Sequence, residues 1–215
     1  MNMASFSPRE RYLGPALLIL SAPCWWIGAF AFFPVVGSVY SAPDSATQIK
    51  VVSSHPVAWL VQNLCFLAGL LAAMGGLASL TRMLRQTRGW RFAQVGLLTT
   101  VAATAVGVGV VYVCVTLAER QTPAAPRMYS GAGANPLHMP FGVLTLVGFA
   151  CYGIALVQAG RLRWTGVAGI VLSSLMLAVV TRHGDAFPPL FFYTVPFMFG
   201  VRLLFGHVGL TSQQT

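Results

Sequence analysis

Charged side chains are scarce in this chain of 215 residues: Asp, Glu, Lys and Arg make up 8% of it, and only four residues are acidic. Hydrophobic residues make up 56%, and the mean hydropathy is +0.73. A soluble domain typically carries about 25% charged residues, because its surface faces water. The composition therefore excludes a soluble enzyme, a disordered tail and a disulfide-rich secreted fold, and it indicates a chain that lies mostly in lipid.

The sequence also lacks the motifs of common catalytic sites. It contains no Gly-x-Ser-x-Gly, no phosphate-binding P-loop, no His-Glu-x-x-His and no Cys-x-x-Cys. Its long apolar segments contain no Asp or Glu, which ion-coupled transporters and proton pumps typically place there. Although the pI is about 10.1, no soluble basic face with aromatic or groove-reading elements is present, so we expect no nucleic-acid partner.

Gaps between the charges predict where the chain crosses the membrane. No Asp, Glu, Lys or Arg occurs in residues 12–43, 51–81, 92–118, 128–160, 164–181 or 186–201. Apolar residues occupy both alternate positions of these runs, which favours helices of about 20 residues over barrel strands. We predict an all-α polytopic membrane protein, with one transmembrane domain over residues 1–215. It is a bundle of six helices at about 13–37, 56–80, 92–117, 140–160, 164–181 and 187–206.

The basic residues predict the orientation of this bundle. With the N terminus inside, four basic residues lie outside, namely Lys50, Arg120, Arg127 and Arg182. Nine lie on the cytoplasmic side, namely Arg9, Arg11, Arg82, Arg85, Arg88, Arg91, Arg161, Arg163 and Arg202. Cytoplasmic loops carry an excess of Lys and Arg, so the pattern predicts an N-in, C-in protein of the cell membrane, and we expect the bacterial cytoplasmic membrane.

The densest basic segment predicts contact with the lipid bilayer itself. Arg82, Arg85, Arg88 and Arg91 lie in the predicted cytoplasmic loop between the second and third helices. Arginines beside a membrane attract anionic lipid headgroups by about 1 kcal/mol each. The sequence therefore predicts a headgroup site here, with another membrane subunit as the alternative partner.

Three of the four histidines stand near prolines at the predicted outer ends of the even-numbered helices. These are His55 before Pro56, His138 before Pro140, and His183 before Pro188. If these helices are neighbours, the three imidazoles and Asp185 can converge on a transition metal such as zinc, copper or non-haem iron. A metal-dependent membrane enzyme or redox subunit is therefore the alternative function, and a transition metal the one cofactor to test.

A second candidate site involves the first two helices. Pro23 bends the first helix beside Trp25 and Trp26, which places two indoles near the middle of the membrane. Gln62 and Asn63 lie about a turn and a half below the outer end of the second helix. The bend can expose an aromatic wall for a small apolar molecule, or the tryptophans can simply fill it. The two amides can bind a ligand's polar group or join helices by a hydrogen bond.

These observations favour a noncatalytic membrane subunit or small apolar-ligand-binding module whose functional face is on the outer side. A transporter of a neutral apolar substrate is a third interpretation. The predicted outer loops, 38–55 and 118–139, are rich in Ser, Ala, Pro and Gly. At this length they can form a lid, loose connections or a docking surface for another subunit.

Overall fold

The computed structural model describes residues 8–42, 44–120, 137–160, 162–183 and 191–211, and these contain no β-strand. They form nine α-helices and one π-helical turn, so the prediction of an all-α fold is confirmed. In chain order the elements are α1 (Pro8–Trp26), the π-helical turn (Ile27–Ala31), α2 (Phe32–Val36), α3 (Ser38–Ser41), α4 (Ser45–Ser54), α5 (Pro56–Leu84), α6 (Trp90–Arg120), α7 (His138–Ala159), α8 (Arg163–His183) and α9 (Thr194–Thr211).

Five helical segments are long and apolar enough to cross a membrane. They are Tyr12–Val36, which runs through α1, the π-helical turn and α2, followed by Pro56–Leu84, Trp90–Thr116, His138–Ala159 and Arg163–Arg182. Their ends agree with the first five predicted helices to within four residues. The agreement follows from the charge gaps, because a charged side chain is costly in hydrocarbon and marks the point where a helix leaves it.

The predicted sixth helix, 187–206, starts in the wrong place. Residues 187–190 lie outside the described residues, 191–193 form a turn, and α9 begins only at Thr194. The apolar part of α9, Thr194–Phe205, is shorter than the other five segments. His183 is the last residue of α8, so it does not begin an even-numbered helix. The absence of charge over 186–201 marked the apolar run, but it did not indicate where the helix starts within it.

The six long helices form a ring in chain order, in which α9 closes the circle against α1 and α8. Consecutive helices run in opposite directions. Along the α1–α5 contact, for example, Gly14 lies against Ser79 and Gly28 against Phe66, so one helix ascends where the other descends. The same pattern holds where α9 meets α1, because Gly200 lies against Pro15 and Leu18, whereas the earlier Phe197 lies against the later Trp26. The start of α1 and the end of α9 therefore lie at the same end of the ring.

Small residues allow these helices to approach closely. A Cβ atom added to Gly76 would lie 2.6 Å from Leu18 Cγ, and one added to Gly107 would lie 2.8 Å from Leu70 Cδ2 and 2.9 Å from Phe141 Cε2. Helices in lipid associate through such close backbone packing, because lipid chains are as apolar as the side chains they would replace. Gly107 thus brings α5, α6 and α7 together in the interior of the ring.

At the end of the bundle that the charge pattern predicts to be outside, which we call the outer end, the helices do not stop at one level. Thr81 Oγ1 and Tyr152 Oη are 2.6 Å apart and 71 residues apart in sequence. Leu70 and Phe141, which meet beside a glycine of α6, have the same separation in sequence. This register places the first residue of α7 beside about residue 67 of α5, so α5 extends past it by about 16 Å. The outer end of the bundle is therefore stepped, with α5 and α6 as its taller wall.

Residues 38–55 fold onto this taller wall. Asp44 begins α4, and its Oδ1 accepts a hydrogen bond of 2.7 Å from the backbone N–H of Thr47. The Gln48 side chain is buried, and its Nε2 donates to the Val39 carbonyl at 3.1 Å. A hydrophobic cluster joins this segment to α5 and α6, and its buried members are Val36, Val39, Val52, Trp59, Val110 and Cys114. We call α3 and α4 together the outer cap.

Candidate ligand site beside the π-helical turn

The path of the first membrane segment is disturbed between two prolines. Pro34 has no N–H, so the Phe30 carbonyl, four residues earlier, lacks the donor that a regular α-helix supplies. Just before this point the chain forms the π-helical turn Ile27–Ala31. A Cβ on Gly28 would lie 2.8 Å from Phe66 Cε1, so the turn is held close against α5. π-helical turns inside α-helices are frequent at functional sites, so the contact between this turn and α5 is a candidate site.

Two buried carboxamides lie on consecutive residues of α5, of which Gln62 faces this region, and each has one end engaged. Gln62 Nε2 donates to the Gly28 carbonyl at 3.0 Å, and Asn63 Nδ2 donates to the Trp59 carbonyl at 2.9 Å. Backbone carbonyls only accept hydrogen bonds, so the amide nitrogen of each side chain must point at them. Gln62 Oε1 and Asn63 Oδ1 are buried and have no hydrogen-bond partner among the residues that the structure describes.

An aromatic layer lies about one helical turn deeper than these amides. The Trp25 ring stacks on Phe66 with centroids 4.5 Å apart and on Tyr193 with centroids 4.7 Å apart. Phe141 lies 6.4 Å from Trp25, and Phe149 meets Tyr193 edge to face at 6.0 Å. We call these five rings the aromatic layer. These rings come from α1, α5, α7 and the turn before α9, and they pack against one another.

The structure brings two of the four predicted ligand-binding residues to one contact. Trp25 and Gln62 lie where α1 and its π-helical turn meet α5, whereas the Asn63 amide bonds within α5 to the Trp59 carbonyl. Trp26 lies on another side of α1, where its ring centroid is 5.7 Å from that of Phe197 in α9. Trp25 fills the bend by packing on other rings, which was one of the two interpretations left open for it.

Sequence reasoning missed the partners of Trp25. Phe66 follows Gln62 by four residues, so helical spacing places both on one face of α5, and that signal was present in the sequence. Tyr193 was beyond reach, because it precedes α9 and meets Trp25 only when the ring of helices closes. The contact depends on the order of helices in space, which charge gaps do not reveal.

Of the four predicted metal ligands, the structure describes the side chains of His55 and His138, and it places them apart. His55 is exposed at the start of α5, whereas His138 is buried at the start of α7. The register between these helices separates the two residues by about 18 Å along the bundle. The side chain of His183 and the whole of Asp185 fall outside the described residues. Within the described part, no group of three or more His, Cys, Asp or Glu is arranged to hold a metal ion. The metal site remains a prediction.

The predicted headgroup residues lie together at the opposite end of the bundle. Arg82 lies in the last turn of α5, Arg85 and Arg88 belong to the tight connection that follows, and Arg91 lies in the first turn of α6. All four side chains are exposed. Exposed guanidinium groups at a helix connection can reach several phosphates at once, because each carries five N–H donors in a planar fork.

The chain was compared with protein-family models, with curated proteins and with solved structures, and none of the three comparisons found a match.

Proposed function

We propose that the protein is a noncatalytic, six-helix protein of the bacterial cytoplasmic membrane that binds a small apolar molecule in its outer half. Its N and C termini are inside, and α9 is the sixth crossing. The closure of the ring by α9 supports the count of six, because an apolar helix that packs along α1 lies in the same solvent as α1. The excess of arginine at one end supports the orientation.

The pair of unpartnered amide oxygens carries the ligand proposal. An unsatisfied buried polar atom costs about 1–3 kcal/mol, and here two such atoms lie on consecutive residues. They lie above the aromatic layer and on the half of α5 that supports the outer cap. A bound molecule that supplies hydrogen bonds would remove this cost. The aromatic layer on one side and the hydrophobic cluster beneath the outer cap on the other are apolar, so the rest of that molecule must be apolar too.

The arginine cluster at the opposite end of the bundle has a supporting role in the proposed function. Arg82, Arg85, Arg88 and Arg91 hold anionic headgroups of the inner leaflet and fix the depth of α5 and α6 in the bilayer. The ligand site then stays within reach of the outer leaflet, because α5 runs the full height between the two regions.

Native mass spectrometry tests the proposed function. Protein purified in a mild detergent should retain one small apolar molecule, or should bind one from a panel of lipid-soluble compounds with a rise in melting temperature. Absence of both a retained molecule and any thermal shift would overturn the proposal. A stoichiometric transition metal in the same preparation, lost when His55 and His138 are replaced by alanine, would favour the metal-dependent alternative instead. Uptake of the ligand by proteoliposomes would point to transport.

A further inference from the structure

We propose that the molecule bound beside the π-helical turn is a neutral lipid-soluble alcohol or phenol, whose hydroxyl group donates a hydrogen bond to Gln62 Oε1 or Asn63 Oδ1. This inference rests on the proposed function and adds the chemical class of the ligand. It follows from which half of each carboxamide is already engaged.

Both amides offer only acceptors to a ligand. Their nitrogen atoms are bound to the carbonyls of Gly28 and Trp59, as their hydrogen bonds of 3.0 and 2.9 Å show. Rotation of either amide by half a turn would place two acceptors against each other and lose the bond. The site therefore requires a donor. Ketones, esters, ethers and quinones carry acceptors alone and leave both oxygen atoms unsatisfied.

The surroundings limit the kind of donor. Gln62 and Asn63 have relative exposures of 0% and 1%, and the run 51–81 that contains them has no acidic residue. A protonated amine is also a donor, but burial of its charge without a counterion is far more costly than burial of a hydroxyl. An ionised carboxylic acid is excluded for the same reason and because it has no proton to donate. A neutral hydroxyl meets both conditions.

The aromatic layer limits how deep the molecule can lie. The rings of Phe66 and Tyr193 both pack on Trp25 at stacking distance, so a ligand cannot insert between these rings. The hydroxyl is therefore held about a turn above this layer. The apolar body of the ligand must lie beside the amides, towards the outer cap or between helices.

A pair of probes that differ in one proton tests this inference. The probes are 4-nonylphenol and its methyl ether, which have nearly the same apolar body, but only the phenol can donate. Binding to the purified full-length protein is measured by the change in intrinsic tryptophan fluorescence and by native mass spectrometry. We expect the phenol to bind about tenfold more tightly than the ether, since a site whose buried polar groups are left unpaired rejects the analogue that lacks the donor.

Three variants assign the preference to the two amides. Gln62→Met and Asn63→Leu each replace a carboxamide by an apolar side chain of similar volume. In the variant that combines both substitutions, we expect the preference for the phenol over the ether to fall to about twofold or less. Gln94→Leu is the matched control, because Gln94 is an exposed amide at the other end of the bundle, and it should keep the wild-type preference. Circular dichroism and gel filtration verify that each variant is folded.

The outcomes separate this inference from the proposed function. Equal binding of phenol and ether by the wild-type protein would overturn the hydroxyl assignment and leave the apolar site standing. A preference that survives in the double variant would also overturn the assignment to Gln62 and Asn63. If neither probe binds and no compound in the wider panel does, the proposed function itself fails. The comparison in the wild-type protein needs no variant, so it remains decisive if a substitution impairs folding.

Discussion

The residue type at many positions in this bundle is constrained mainly by how closely neighbouring helix backbones approach and by the hydrogen bonds that buried polar groups need. The interior offers few hydrogen-bond partners. A buried Gln, Asn, Thr or Tyr therefore either bonds to one specific neighbour or keeps a polar atom without a hydrogen bond. Tyr152 illustrates the first case, since its Oη lies 2.6 Å from Thr81 Oγ1 and donates to the Leu77 carbonyl at 3.1 Å. Gln62 illustrates the second. The sequence identified Gln62 as a candidate, but only the structure shows which of its two polar atoms is engaged.

Gly69 should not tolerate a side chain. A Cβ there would overlap the Trp25 indole and lie 2.8 Å from the Ser21 carbonyl oxygen, and neither neighbour can easily move. We expect Gly69→Ala to lower the free energy of unfolding in detergent by about 1–3 kcal/mol. Gly109→Ala is the control, because the added methyl group would meet only Leu137 Cδ1 at 3.5 Å. An equally stable Gly69→Ala protein would contradict the packing of Trp25 against α5.

The contact between Tyr152 and Thr81 should be measurable as a coupling energy. In a double-mutant cycle of Tyr152→Phe and Thr81→Val, we expect a coupling of about 0.6 kcal/mol, and at most about 1.7, as is typical of hydrogen bonds between membrane helices. Tyr112→Phe should leave stability unchanged, because Tyr112 is 62% exposed on α6. Additive effects of the two substitutions would show that the hydroxyl groups do not interact, and would remove one of the two contacts that set the register of α5 and α7.

At the scale of the element, the sequence predicted which long helices exist better than it predicted where each helix starts and ends. Charge gaps gave the first five crossings, because the cost of a charge in hydrocarbon acts on every residue of a span. The outer cap was harder to predict, since α4 is an ordinary short helix of 10 residues that depends on packing against Trp59 and Cys114. The start of α9 was predicted wrongly. Pro188, Pro189 and the aromatic run after them are apolar, and apolarity alone does not distinguish helix from turn.

The outer cap should loosen when α4 loses its N-terminal hydrogen bond. Asp44→Ala removes the acceptor of the Thr47 N–H, which costs about 1 kcal/mol at a helix N-cap. Hydrogen exchange over residues 45–54 should then become about fivefold faster, while exchange in α7 stays the same. Asp44→Asn should restore protection, because asparagine caps helices as well as aspartate does. Unchanged exchange in Asp44→Ala would show that packing alone holds α4.

At the scale of the whole molecule, the two ends of the ring differ in charge and in shape. One end carries the exposed arginines of the α5–α6 connection, and the other end is stepped and carries α3 and α4. The sequence predicted this polarity from the count of basic residues. It could not predict the step, because the offset of α7 against α5 arises from contacts such as that of Tyr152 with Thr81, which are 71 residues apart in sequence. Burial of Gln62 follows from the packing of the π-helical turn against α5.

Side-specific cysteine labelling tests the orientation and the number of crossings together. A membrane-impermeant maleimide should label Ser53→Cys in intact cells, because Ser53 is exposed at the outer end of α4. Arg88→Cys, at the far end of α5, should be labelled only after permeabilisation. A cysteine added after Thr215 should behave like Arg88→Cys if α9 is a sixth crossing, and like Ser53→Cys if only five helices cross. The unmodified chain is the control, since its four cysteines lie within the membrane segments and none is exposed. Labelling of Arg88→Cys in intact cells would reverse the orientation and move the outer cap, with the amide site beneath it, to the cytoplasmic side.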